Sequence, residues 1–135
     1  MKRLLFLTVI LMSTLVCGTA LAADITGTYL GWFDNNYEKE NSVVIKTLSD
    51  DEYFVEVITS HPDGGDSCGF TGKGKLIGSS IQAITVKDGE KYVLPLYFKK
   101  DNTIEIPSND HVFGLTGPFC GANSAIDLSG TFRKK

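Results

Sequence analysis

The chain has 135 residues, is 42% hydrophobic and carries a formal net charge of −3 at pH 7. Its basic residues are scattered or terminal, which gives a phosphate backbone nothing to bind and excludes nucleic-acid recognition. Its one long apolar run is shorter than the ~20 residues that cross a bilayer, so a membrane-spanning protein is excluded as well.

That run comes first in the chain. Met1-Lys2-Arg3 is a basic start, Leu4 to Val16 is apolar apart from Thr8, Ser13 and Thr14, and Ala20-Leu21-Ala22 is a small-x-small cleavage signal. This is the pattern of a secretory signal peptide, so a periplasmic or secreted bacterial protein is expected. Cleavage after Ala22 leaves 113 residues, a single domain, with 11 basic against 16 acidic residues once Lys2 and Arg3 are gone, a net charge of −5. Cys17 falls in the signal segment behind Val16, where a lipid-anchored protein would carry a small residue.

Period-two alternation then recurs between turn residues, with no sustained helical period. Gly27 to Phe33 is a first strand, with Tyr29 and Phe33 on one face and Leu30 and Trp32 on the other, ended by Asp34-Asn35-Asn36. Ser42 to Leu48 and Glu52 to Ser60 are the second and third, joined across Ser49-Asp50-Asp51. His61 to Asp66 is a loop, because Pro62 lacks a ladder donor and Gly64-Gly65 prefers a turn. From Phe70 a fourth strand sets Phe70, Gly72, Gly74, Leu76 and Gly78 on one face and Thr71, Lys73 and Lys75 on the other. Inward glycines let a small barrel coil sharply.

Ser80 to Lys87 and Lys91 to Lys100 make a hairpin around Asp88-Gly89, with Tyr92, Leu94, Leu96 and Phe98 inward. Pro95 calls for a bulge, or for a stretch without a neighbour on its donor side. Thr103 to Ile106 and Leu128 to Lys134 complete eight strands, and Pro107 to Asp127 is a long irregular segment with a helical turn expected near Ala122 to Ile126. Gly27-Thr28-Tyr29 and Gly130-Thr131-Phe132 are near copies, so the first and last strands are expected to pair. The expected fold is all-β: a small antiparallel eight-stranded up-and-down barrel, monomeric, with no exposed sheet edge.

Cys68 and Cys120 are an even pair in an exported chain, each followed by glycine, and are read as one disulfide. No C-x-x-C occurs and no histidine sits at ligand spacing from either cysteine, so neither a redox pair nor a metal site is expected. His61 and His111 fall in loops without a nucleophile signature. The cluster His61, Asp63, Asp66 and the segment Asp34 to Glu38 lack the spacing of a calcium loop. The acidic groups Asp50-Asp51-Glu52 and Glu38 with Glu40 lie in hydrophilic turns, where nothing apolar would raise a carboxyl pKa for glycosidase chemistry. No cofactor and no enzymatic activity are expected.

The ending Phe119-Cys120-Gly121 through Ile126 to Lys134, together with Cys68-Gly69-Phe70-Thr71-Gly72, resembles the periplasmic β-barrels of the bacterial lysozyme-inhibitor type. The resemblance implies a disulfide-stapled barrel that blocks a basic glycoside hydrolase such as lysozyme. Some of these inhibitors carry a Ser-Gly-x-x-Tyr loop. Here Ser129-Gly130 supplies its start, while Phe132 stands one place early and Arg133 takes the tyrosine position, so only Ser129 is carried over. Acidic charge suits a basic partner. The contact is placed on the His61 to Ser67 loop and the Asn109 to Phe119 segment. Asp63, Asp66 and Asp110 would face the partner's basic rim, and Phe113 and Phe119 are apolar anchors or core residues. The alternative is a lipocalin-like or avidin-like barrel holding a small apolar ligand among Tyr29, Phe33, Leu94, Leu96 and Phe98.

Overall fold

The computed structural model describes residues 24–33, 36–61, 65–108, 115–121, 124 and 126–135, with backbone alone at 33, 36–39 and 116. The segment read as a signal peptide, including Cys17, lies outside the described residues, as do Asp63, Asp110, His111 and Phe113. The strands are β1 (Gly27–Phe33), β2 (Asn36–Thr47), β3 (Glu52–Ser60), β4 (Ser67–Ile77), β5 (Ser80–Lys87), β6 (Glu90–Phe98), β7 (Thr103–Ile106) and β8 (Gly130–Lys134), with one short helix, α1 (Thr116–Cys120), before β8. Each strand pairs antiparallel with the next, and β8 returns to β1 through Tyr29↔Lys134, Leu30↔Arg133 and Gly31↔Phe132. The sheet is a closed up-and-down barrel, as the spacing of alternating runs predicts.

Alternation fills the interior. Val43 and Ile45 of β2, Val55 and Val57 of β3, Ile81 and Ala83 of β5, Leu94 and Leu96 of β6 and Ile104 of β7 are at most 1% exposed, with Tyr29, Phe70 and Phe132 buried beside them. Tyr92 and Phe98, also predicted inward, are half-buried and pack against this core. Each buried aliphatic side chain contributes roughly 1.5–3 kcal/mol, and the shared core is what the eight short strands have in common. The Asp88-Gly89 hairpin forms with both residues at positive φ, 53° and 80°, as a tight primed turn demands. Pro95 pairs with Gln82 of β5. The Phe98 N–H points to β5, donating to the Ser79 carbonyl at 2.8 Å, and strand alternation then turns the Pro95 nitrogen to the β7 side. The β7 ladder begins only at Tyr97, so the missing donor falls where no neighbour needs it.

Four local readings are corrected. β2 begins at Asn36 rather than Ser42, so Glu38 and Glu40 lie on a strand and not in a turn. The extension survives a register jump between Leu30 and Gly31, which leaves extra β2 residues opposite one step of β1. Gly31 permits that bulge, because a Cβ there would lie 2.6 Å from Asn41 Cβ. The helical turn is at Thr116–Cys120, upstream of the predicted position, and the described Ser124 and Ile126 are not helical. Pro118 sits in the first turn, where its missing N–H has no partner to lose, and Gly121 at φ 99° ends the turn. β4 starts at Ser67, three residues before Phe70, and β8 starts at Gly130, which leaves Ser129 in the preceding loop.

Candidate partner-binding end of the barrel

In an up-and-down barrel, connections leaving odd-numbered strands emerge at one end. The β3–β4 connection (61–66), the Asp88-Gly89 turn and the long segment 107–129 therefore share an end, and the chain termini lie at the other. The two segments predicted to carry the contact are neighbours for this reason. The Cys68–Cys120 disulfide, with residues 52 apart in sequence, ties the end of α1 to the start of β4.

Further links hold the long segment down. Thr59 Oγ1 donates to the Asp127 carbonyl at 2.8 Å, and Lys87 Nζ donates to the Pro118 carbonyl. The Phe119 ring stands edge-on to Phe70 at 5.1 Å and to Tyr92 at 5.2 Å, under Lys87 Nζ at 5.1 Å from its centroid. Phe119 is therefore a half-buried stopper in the barrel mouth, the core alternative of the two roles read from the sequence. The His61 N–H donates to the Asp66 carbonyl at 2.9 Å, closing the β3–β4 loop at its base. Both side chains are half-buried and engaged.

Ser129 lines a groove of about 300 Å³ at the same end, together with Trp32, Asn41, Ser60, Asp127 and Thr131. Its N–H donates to Asp127 Oδ1 at 2.9 Å and its hydroxyl donates to the same oxygen, an Asx turn that presets the entry to β8. Phe132 is 1% exposed and belongs to the core, whereas Arg133 faces out. The strand alternation thus prevents the residues after Ser129 from acting as a Ser-Gly-x-x-Tyr loop. Trp32 is half-exposed at the rim of the groove. Asn41 was not legible as a site residue: it is 8% exposed and its Oδ1 accepts the Ser60 N–H at 2.8 Å. It continues the inward face of Val43 and Ile45 by simple alternation, but as a polar residue just before the expected strand start at Ser42 it gives no apolar signal for that face.

Charge is unevenly spread. Among the described residues, Glu40, Asp66, Asp88, Glu90 and Asp127 gather at the loop end against Lys87 and Lys91, whereas at the other end Lys46, Lys75, Lys99, Lys100, Lys134 and Lys135 are nearly offset by Asp24, Asp50, Asp51, Glu52 and Asp101. The groups whose titration is displaced have local causes. Tyr92 is pushed up by donating to Glu90 Oε2 at 2.9 Å, and Asp24 and Asp101 are pushed down by hydroxyl hydrogen bonds from Thr26 and Thr103. Among the described residues, no three metal-ligating side chains converge. Compared with protein-family models, characterised proteins and solved structures, the chain matches none.

Proposed function

We propose that the chain is exported by its N-terminal segment and works as a binding protein of the bacterial envelope, an inhibitor of a basic glycoside hydrolase such as lysozyme. The observation that carries this reading is the stapled, acidic loop end. A surface that must seat in another protein's cleft benefits from being rigid before contact, since ordering it on binding would cost affinity. Here a disulfide, the Thr59 and Lys87 hydrogen bonds and the Phe119 stopper tie Pro118–Cys120 and Asp127 to the barrel. The carboxylates around it would draw in a basic partner. Asp63, Asp66 and Asp110 would meet its rim, His61 and Ser129 would supply polar contacts, and Phe113 would be the anchor, with Phe119 supporting from below.

The test is a titration of the purified exported protein into hen-type, goose-type and invertebrate-type lysozymes acting on cell walls, at low and moderate salt. Loss of activity of at least one enzyme at micromolar protein is the expected result. Undiminished activity of all three would remove the reading.

A further inference from the structure

The barrel is closed, yet one of its seams is only half zipped. β4 is paired to β3 from Ser67 to Lys75, and β5 to β6 along its whole length. Between β4 and β5 the ladder contains only Lys73↔Ile84, Leu76↔Ile81 and Ile77↔Ser80. Above Lys73 the ladder stops, so that Ser67–Gly72 of β4 and Thr85–Lys87 of β5 lie outside the β4–β5 pairing. The inward glycines account for the geometry. A Cβ at Gly72 would lie 2.8 Å from the Ile84 carbonyl oxygen, and one at Gly74 would strike the Gln82 carbonyl oxygen. β5 therefore crosses beneath the inner side of β4 and swings away from it. Phe119 closes the inside of the gap. Outside, a trough of about 410 Å³ along Ile58, Gly69, Thr71 and Lys87 runs through Thr71, Thr85 and Val86 into a groove of about 710 Å³.

This wall has an exposed strand edge, and such an edge is a template for an added strand. It has apolar side chains facing water, Ile84 at 37% and Val86 at 68% exposed. It also has a cation: Lys73 is exposed beside Ile84, the acids that share the grooves, Glu52 and Glu56, stand on the β3 side of β4, and the neighbouring Lys75 is near Asp51 at 3.8 Å. We propose that the open β4–β5 seam binds an extended peptide segment of another protein, which pairs with the free edge of β4, rests alternate apolar side chains on Ile84 and Val86, and sets a carboxylate against Lys73. This site is on the barrel wall, on the outer side of β4 and β5; it adjoins the loop end at Lys87 and Phe119 but does not depend on the inhibitor reading.

Two measurements test it. Hydrogen exchange on the unmodified protein is expected to find the seam-facing amides of 67–72 and 85–87 exchanging much faster than those of 73–77 and 80–84. Equal protection of both groups would mean a zipped seam and would overturn the proposal. The second uses a capped heptapeptide that alternates valine and threonine around a central aspartate, with a lysine counterpart, titrated into isotope-labelled protein. Shifts confined to Gly69–Gly72 and Thr85–Lys87 support the site, as does binding weakened about tenfold or more by Val86→Asp. A preference for the lysine peptide on Lys73→Glu supports the charge contact. No shift at millimolar peptide, shifts confined to His61, Asp66 and Asp127–Ser129, or equal binding of both peptides to the unmodified protein would overturn it.

Discussion

At the scale of single residues, Gly72 and Gly74, two positions apart in β4, and Gly69, earlier in the same strand, illustrate that composition alone does not set a glycine's importance. Gly74 has Ile81 Cγ2 3.0 Å from where a Cβ would be, with the Gln82 backbone closer still, and Gly72 has the Ile84 carbonyl, whereas Gly69 has nothing within 4 Å. Gly74→Val should therefore destabilise the fold by about 3 kcal/mol through overpacking. Gly69→Val should stay within about 0.5 kcal/mol or gain slightly from strand propensity. Urea midpoints of the two variants check this, and equal midpoints would contradict it. Tyr29 gives a pH signature. It is buried, its hydroxyl donates to the Ile25 carbonyl at 2.8 Å, and burial pushes its phenol above the ordinary 10.0. The neutral phenol is the folded form, so its contribution is complete below pH 10 and fades as pH rises through the raised value. Tyr29→Phe should cost about 1 kcal/mol at neutral pH and flatten the alkaline loss of stability, a result that denaturant midpoints across the alkaline range would reveal.

Elements differ in how far their own residues announce them. β3, β5 and β6 alternate strongly between apolar and polar side chains or end at Asp88-Gly89, and their bounds were legible within a residue or two. The inward glycines of β4 were legible for the same reason, since Thr71, Lys73 and Lys75 mark the outer face. The first half of β2 was not: Tyr37-Glu38-Lys39-Glu40-Asn41 has no apolar partner row, and its strand geometry comes from pairing with β1 around the Gly31 bulge. α1 was misplaced because a Pro and a Gly read as loop signals, whereas here Pro118 starts a helical turn and tertiary contacts at Phe119 hold it. The candidate site was half legible. Cysteine arithmetic located its staple, but the groove of Trp32, Asn41 and Ser129 depends on the polar start of β2 and on long-range closure of β8 onto β1. The staple should matter in proportion to the loop it closes. Cys68→Ser is expected to cost about 4 kcal/mol in the chain-entropy model. It should also release the α1 amides to faster exchange while those of β1, β2 and β3 keep their relative protection. Uniform loosening of all strands would argue that the bond holds the barrel rather than the loop end.

At the scale of the whole molecule, barrel length and charge act together. The nine residues of β3 cover roughly 30 Å along the strand. This is several times the Debye length of about 8 Å at physiological salt. An approaching basic protein therefore feels the two ends separately, and among the described residues only the loop end carries an excess of carboxylates over ammonium groups. If the protein inhibits a lysozyme as proposed and that end docks first, their association should slow about tenfold between low and moderate salt, with much less change in dissociation. Asp66→Asn combined with Asp88→Asn should lower the low-salt association rate about twofold to fivefold and flatten its salt dependence. Asn tolerates the positive φ of position 88, so the turn is preserved. Asp50→Asn combined with Asp51→Asn removes the same charge from the far end and should leave the association rate unchanged. Stopped-flow measurement of the association rates of the unmodified protein and both double variants at the two salt concentrations is the check: equal effects of the two pairs would mean that net charge alone attracts the partner and that the loop end has no part in orienting it.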